Sequence, residues 1–173
     1  EEKLKEAERK ALESQMNPHF LYNTLNTITA LAKLRGDQEI LTISTKLGAL
    51  LRNSIDTRES TVSLRDSLTM VENYLAIQKI RFGDKLEISY RIDESLLSIH
   101  TPKLIIQPFV ENSIIHGLEP KTGTWKLNIA IERHDDDILV SIEDKGSPMG
   151  LYRTNWMTLP ILPIVACIMS IDG

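Results

Sequence analysis

Three short stretches hold side chains able to do chemistry. The first is "NPHFLYNTLN", residues 17–26, where Pro18 and His19 sit among Asn17, Asn23 and Asn26. At about 100° per residue, Gln15, His19, Tyr22, Asn23 and Asn26 share roughly a third of a helix circumference. An imidazole is partly neutral near pH 7, and in that form it is a nucleophile. It can equally be a solvated surface ring or a metal ligand. No second His or Cys follows three or four residues on, so a metal site gains little support. Against a merely solvated ring stands Pro18. A proline inside a helix costs about 3 kcal/mol, and it kinks the helix by removing the amide that would bond the Ser14 carbonyl.

The second stretch is "QPFVENSIIHG", residues 107–117. Asn112 and His116 stand four apart, on one helix face, with Glu111 beside them. A carboxamide oxygen suits Mg²⁺, and a histidine can reach a phosphate. The same residues also suit a plain solvent-facing helix whose terminal histidine matches the dipole. The third is "EDKGSPMG", residues 143–150, with Asp144 and Gly146. An aspartate there can accept a hydrogen bond from an exocyclic amine, and glycine lets a flat ring approach the backbone. Asp-x-Gly is also an ordinary turn signature.

These residues need elements to hold them. "EEKLKEAERKALESQ" is rich in strong helix formers, and the pattern reads as one helix over residues 1–33. Its apolar side carries Phe20, Leu21, Leu25, Ile28, Leu31 and Ala32. "RGDQ" (35–38) breaks it, and a second helix follows with Ile40, Ile43, Leu47, Leu50, Leu51 and Ile55 on one face. Such a hairpin cannot bury its stripe alone, so a dimeric four-helix bundle is expected. Ser63 and Asp66 have capping-box spacing and open a helix over 64–82, ended by Gly83. Three alternating strands follow: Leu86/Ile88/Tyr90/Ile92, Trp125/Leu127/Ile129/Ile131 and Ile138/Val140/Ile142, the last two joined by "HDDD". Between the first two, a helix is expected over 102–116, with Thr101 as its cap, Pro102 in its first turn and Gly117 at its end. One-sided alternation needs helices on one face, so residues 61–144 read as an α+β two-layer sandwich.

Composition narrows the partners. The net charge is -4, with 20 basic and 24 acidic residues, and a nucleic-acid groove needs a basic stripe instead. One cysteine, Cys167, permits no internal disulfide, which fits a reducing compartment. The chain opens on Glu1 without a signal peptide and reads as a piece of something longer. No apolar run reaches the roughly 18 residues of a membrane-spanning helix.

Taken in order, "ESQMNPHFLYNTLNTI", "YLAIQKIRFGDKLEI", "LIIQPFVENSIIHG" and "EDKG" closely resemble the cytoplasmic core of LytS-type (LytS/YesM-like) sensor histidine kinases of bacterial two-component systems, over about residues 12–146. The resemblance implies that residues 1–60 are dimerisation and phosphoacceptor helices, with His19 the phosphorylated residue. It implies that residues 61–150 are a Bergerat-type (GHKL) ATP-binding domain, the fold also found in DNA gyrase and MutL. Its cofactors would be ATP and Mg²⁺. Asn112 matches the metal-binding asparagine, Asp144 the reader of the adenine amine, Gly146 its partner and His116 a position near the phosphates. The partners implied are a second copy of the chain and the receiver domain of a response regulator, with neither nucleic acid nor membrane touched by these residues. A membrane sensor domain would lie upstream and this core in the cytoplasm. Where many such kinases place an acid directly after the histidine, this chain has Phe20, so Glu111 becomes the candidate base. Asn23, one turn after His19, matches the place where related kinases position a water for dephosphorylating the regulator.

Two departures follow. Ile115 stands where the family usually has a basic residue. After Gly146 the match ends, and the ATP domain reads as incomplete at its C-terminal end, lacking a lid and a second glycine box. Residues 151–173 are an unassigned apolar tail. In it "LPILPIVACIMSI" holds Pro160 and Pro163 and shows neither helical nor strand periodicity. Three readings are therefore carried: an active kinase core, a phosphoacceptor and docking scaffold without a complete ATP site, and an ATP-driven clamp. Nothing in the last needs "NPHFLYNTLN".

Overall fold

The computed structural model describes residues 18–55, 60–119, 122–134, 137–145 and 164–170. The chain divides into two compact units, residues 1–56 and 57–173. The expected helix before Pro18, and its kink at Ser14, lie outside the described residues.

The first unit is a helical hairpin, α1 (Pro18–Arg35) and α2 (Gln38–Ile55). Gly36 takes φ +68°, the left-handed region open to glycine. The Gly36 amide donates to Lys33 O (3.3 Å) and the Asp37 amide to Ala32 O (3.0 Å), a Schellman ending. Asp37 then caps α2, its Oδ1 accepting from the Ile40 amide at 3.0 Å. The helices meet over buried Ala32 and Ser44. There the Thr29 hydroxyl lies 3.0 Å from Ser44 Oγ, which donates to Ile40 O at 2.8 Å. The hairpin leaves Phe20, Ile28, Leu31, Leu34, Ile40 and Leu47 exposed, apolar surface that a lone helix pair has no means to cover.

The second unit opens with β1 (Thr61–Ser63) and α3 (Leu64–Phe82). Ser63 caps α3 as its spacing predicts. Its Oγ accepts from the Asp66 amide at 3.1 Å and donates to Asp66 Oδ2 at 2.6 Å. Leu64, Leu68, Val71 and Leu75 are buried. At the far end Gly83 takes φ +57° and donates to Lys79 O. Then come β2 (Leu86–Ile92), β3 (His100–Pro102), α4 (Gln107–Asn112), a π-helical turn (Ser113–Leu118), β4 (Trp125–His134), β5 (Asp137–Lys145) and β6 (Ile164–Ser170). The main sheet has the order β2-β4-β5-β6. β2 and β4 are parallel, with Ile88 opposite Leu127; β4 and β5 are antiparallel, with Ile129 opposite Ile142. The β4 and β5 residues expected to face inward are buried. The other face is polar, with Lys126–Glu87 (3.0 Å) and Arg91–Glu132 (2.6 Å) ion pairs and a Ser89–Asn128 hydrogen bond. The protein is therefore α+β: a helical hairpin followed by a sandwich of one helical layer on one sheet.

Three expectations are corrected. Thr101 and Pro102 do not start a helix; with His100 they form β3, paired antiparallel to β1, Val62 opposite Thr101. Leu104 follows at φ +63°, which no α-helix admits, so α4 begins only at Gln107. Tyr90 remains 43% exposed because β2 is the sheet's edge strand. The apolar tail, which lacked strand periodicity, supplies β6, whose backbone pairs antiparallel with β5, Val140 opposite Cys167.

Candidate active site

The candidate residues divide between the two units. In the first, α1 carries His19 and Asn23, one turn apart and both exposed. The Asn23 Nδ2 lies 3.3 Å from His19 Nδ1 and 3.4 Å from Nε2. The amide donates to whichever ring nitrogen lacks a proton. That bond orients the ring on the helix surface while leaving it open to solvent.

In the second unit, Glu111 and Asn112 end α4, and His116 sits in the π-helical turn that follows. Asn112 and His116 are exposed and Glu111 is half-buried. Glu111 Oε1 accepts from Gln107 Nε2 at 2.7 Å, an i, i+4 pair that fixes the carboxylate against its own helix. In the wide turn the Glu119 amide reaches back to Ile114 O at 2.9 Å. Turns of this kind are rare and occur often at functional sites. Ile114 and Leu118, both fully buried, anchor it on the core.

Asp144 lies on β5, against which the wide turn packs. It shares strand parity with Ile138, Val140 and Ile142, and is only 5% exposed. A carboxyl group thus lies at the end of the buried apolar face, a place where such groups are seldom found unless a polar partner meets them. Gly146 lies outside the described residues. The unit therefore brings Asn112 and His116 onto one turn and sets Asp144 on the strand beneath it. No group of three or more His, Cys, Asp or Glu residues able to hold a metal occurs among the described residues. Mg²⁺ needs none, since it commonly takes one or two protein oxygens and completes its shell with phosphate and water. The carboxamide of Asn112 fits that use.

Sequence reading missed Tyr74, Gln107, Arg81 and Glu119, which surround this region. Tyr74 is pushed up from the usual 10.0 to about 12, first by burial and then by the charges of Glu111 and Glu119, against Arg81 and a hydrogen bond with Gln78. Tyr90 is also raised to about 12, by burial and by Glu72. A folded state that keeps these protons while the unfolded chain loses them is stabilised below pH 10 and loses that advantage as pH rises through about 12. The second unit is expected to weaken across that window. Denaturant titrations at stepped pH should show the slope, and Tyr74→Phe should flatten part of it.

Residues 7–86 match the family described as "Histidine kinase". The sensor histidine kinase YesM of Bacillus subtilis is 38% identical over 146 residues, covering 84% of this chain and 25% of YesM. YpdA of Escherichia coli is 36% identical over 141 residues, 81% of this chain and 25% of its own. LytS of Staphylococcus haemolyticus is 32% identical over 145 residues, 83% and 25%. The chain thus spans about a quarter of the length of these relatives. Among solved structures, the histidine kinase AdeS of Acinetobacter baumannii aligns with a TM-score of 0.46 at 11% identity, over 92% of this chain and 98% of that one. With residues 7–86 matching the histidine kinase family and relatives above 30% identity covering more than four-fifths of this chain, the chain belongs to the LytS/YesM-type sensor histidine kinases.

Proposed function

We propose that the chain carries the phosphoacceptor and nucleotide-binding parts of a protein-histidine kinase. His19 takes the γ-phosphoryl group of ATP and passes it to an aspartate on a response-regulator receiver domain. The observation that carries this reading is Asp144, a carboxylate buried at the end of an apolar strand face, where it would accept the hydrogen bond of the adenine amine. Residues 1–60 would serve as the acceptor and dimerisation part, their exposed apolar positions covered by a second copy. Residues 61–150 would serve as the nucleotide part. The chain would lie on the cytoplasmic side of a membrane protein whose sensor domain precedes it. No helix among the described residues is long and apolar enough to cross a membrane.

In the proposed reaction the unprotonated ring nitrogen of His19 attacks the γ-phosphorus in line. The N–P bond forms as the bond to the β–γ bridging oxygen breaks, and ADP leaves with that oxygen. The other ring nitrogen gives up its proton, for which Glu111, held by Gln107, is the candidate acceptor. Asn112 would hold Mg²⁺, which neutralises charge on the phosphates, and His116 would stand beside them. Asn23 would orient a water when the regulator is dephosphorylated.

One observation favours the scaffold reading. Ile115 is 46% exposed, where a cation would have met phosphate. Calorimetric titration separates the two. Saturable Mg-ATP binding is expected for the chain, and Asp144→Ala is expected to weaken it about 10- to 100-fold, the worth of one hydrogen bond to a charged group. Absence of binding at millimolar ATP would leave the docking scaffold as the function.

A further inference from the structure

The "KIRFGDK" stretch, residues 79–85, is part of the family resemblance and has so far no role in the chemistry. In the structure it ends α3 and touches the turn that carries His116. Arg81 Nη1 lies 2.9 Å from Glu119 Oε1. The Arg81 guanidinium also sits 4.6 Å from the Phe82 ring centroid, and Phe82 meets Trp125 edge-on at 4.7 Å and 62°. This end of α3 is itself fixed, because Lys79 Nζ donates to Leu86 O at 2.6 Å. Glu119 is the residue whose amide closes the wide turn on Ile114 O at 2.9 Å. At the other end of the same helical segment, Gln107 holds Glu111. The segment is thus held from outside at its Glu119 end, by Arg81, and Asn112 and His116 stand exposed before that hold.

We propose that Arg81 is a positioning residue: through Glu119 it keeps the turn in its wide form and so sets Asn112 and His116 relative to Mg²⁺-bound nucleotide. This rests on the reading of Asn112 as the Mg²⁺ residue. Stability is a poor explanation for the pair. The side chains are 60% and 29% exposed, and ion pairs of that kind add little to folding. What the pair can do is bias one short turn toward its i→i+5 closure, a pattern that is rare in helices.

The test uses the whole chain, with Mg-ATP and Mg-free ATP as probes and amide hydrogen exchange as a readout independent of nucleotide. In Arg81→Ala, exchange at the Ser113–Glu119 amides is expected to rise roughly two- to fivefold, with the thermal midpoint almost unchanged. The ratio of ATP affinity with and without Mg²⁺ should fall by a similar factor. Arg81→Glu combined with Glu119→Arg should restore both. Arg91→Ala, which removes a comparably exposed pair on the outer sheet face, should change neither. Unchanged exchange in Arg81→Ala overturns the inference, as does faster exchange spread over α3 and the sheet. If the wild-type chain shows a Mg²⁺ increment that Arg81→Ala leaves intact, the inference alone falls. If the wild-type chain shows no such increment, the Mg²⁺ role of Asn112 falls and the inference with it.

Discussion

Replacing His19 by glutamine is expected to abolish acid-labile phosphoryl incorporation from radiolabelled ATP. Glutamine keeps a polar, helix-compatible side chain on α1, but it has no ring nitrogen with a lone pair able to form a phosphoramidate. Far-UV circular dichroism should therefore match the wild type while incorporation drops to background. Label remaining on the His19→Gln chain would remove His19 from the mechanism. Asn23→Ala supplies the contrast. Its amide lies within 3.3 and 3.4 Å of the two ring nitrogens, so it orients the imidazole without being consumed. Autophosphorylation is expected to survive this change, while dephosphorylation of the partner regulator slows on the order of 100-fold, the scale of a lost acid–base or water-positioning group. Loss of both activities together would reduce Asn23 to a prop for the ring.

Leu127→Ala is expected to produce the largest loss of stability. Leu127 is fully buried on β4, opposite Ile88 on β2 and Asp144 on β5. Truncating a buried leucine costs about 2–5 kcal/mol, against a total of about 5–15 kcal/mol for a domain. The urea midpoint should fall steeply with little change in m. Nucleotide binding should fail in parallel, because Asp144 sits across the ladder. Lys126→Ala, one residue away on the polar face, should stay within about 0.5 kcal/mol. Equal, small effects at both positions would show that the sheet does not bury the face assigned to it.

The elements written clearly in the sequence are those whose signals are local. Gly36 ends α1 because only the left-handed backbone closes that turn, and Ser63 starts α3 because its hydroxyl meets an amide three residues on. Strands β2, β4 and β5 of the main sheet were legible because one-sided burial forces alternation. Thr101 and Pro102 show the limit of such reasoning. Locally they suit a helix start, yet the Thr101 backbone is taken by Val62, a pairing made across the whole length of α3 and β2. The tail fails from the opposite direction: "IVACIMS" carries no alternation to read, and its backbone finds a partner in β5.

The site divides in the same way. Residue types and spacing drew attention to His19 with Asn23, Glu111 with Asn112 and His116, and Asp144, but left a solvated ring, a solvent-facing helix and an ordinary turn open beside them; the roles of nucleophile, hard-cation ligand and amine reader came from the resemblance to LytS-type kinases. Only the tertiary structure decided that Asp144 is buried, that the turn after Asn112 is wide, and that Arg81 grips Glu119 at its end. Those facts depend on which strand lies under which turn. Contacts between residues distant in the chain are set by how the core packs, and no window of neighbouring residues records them.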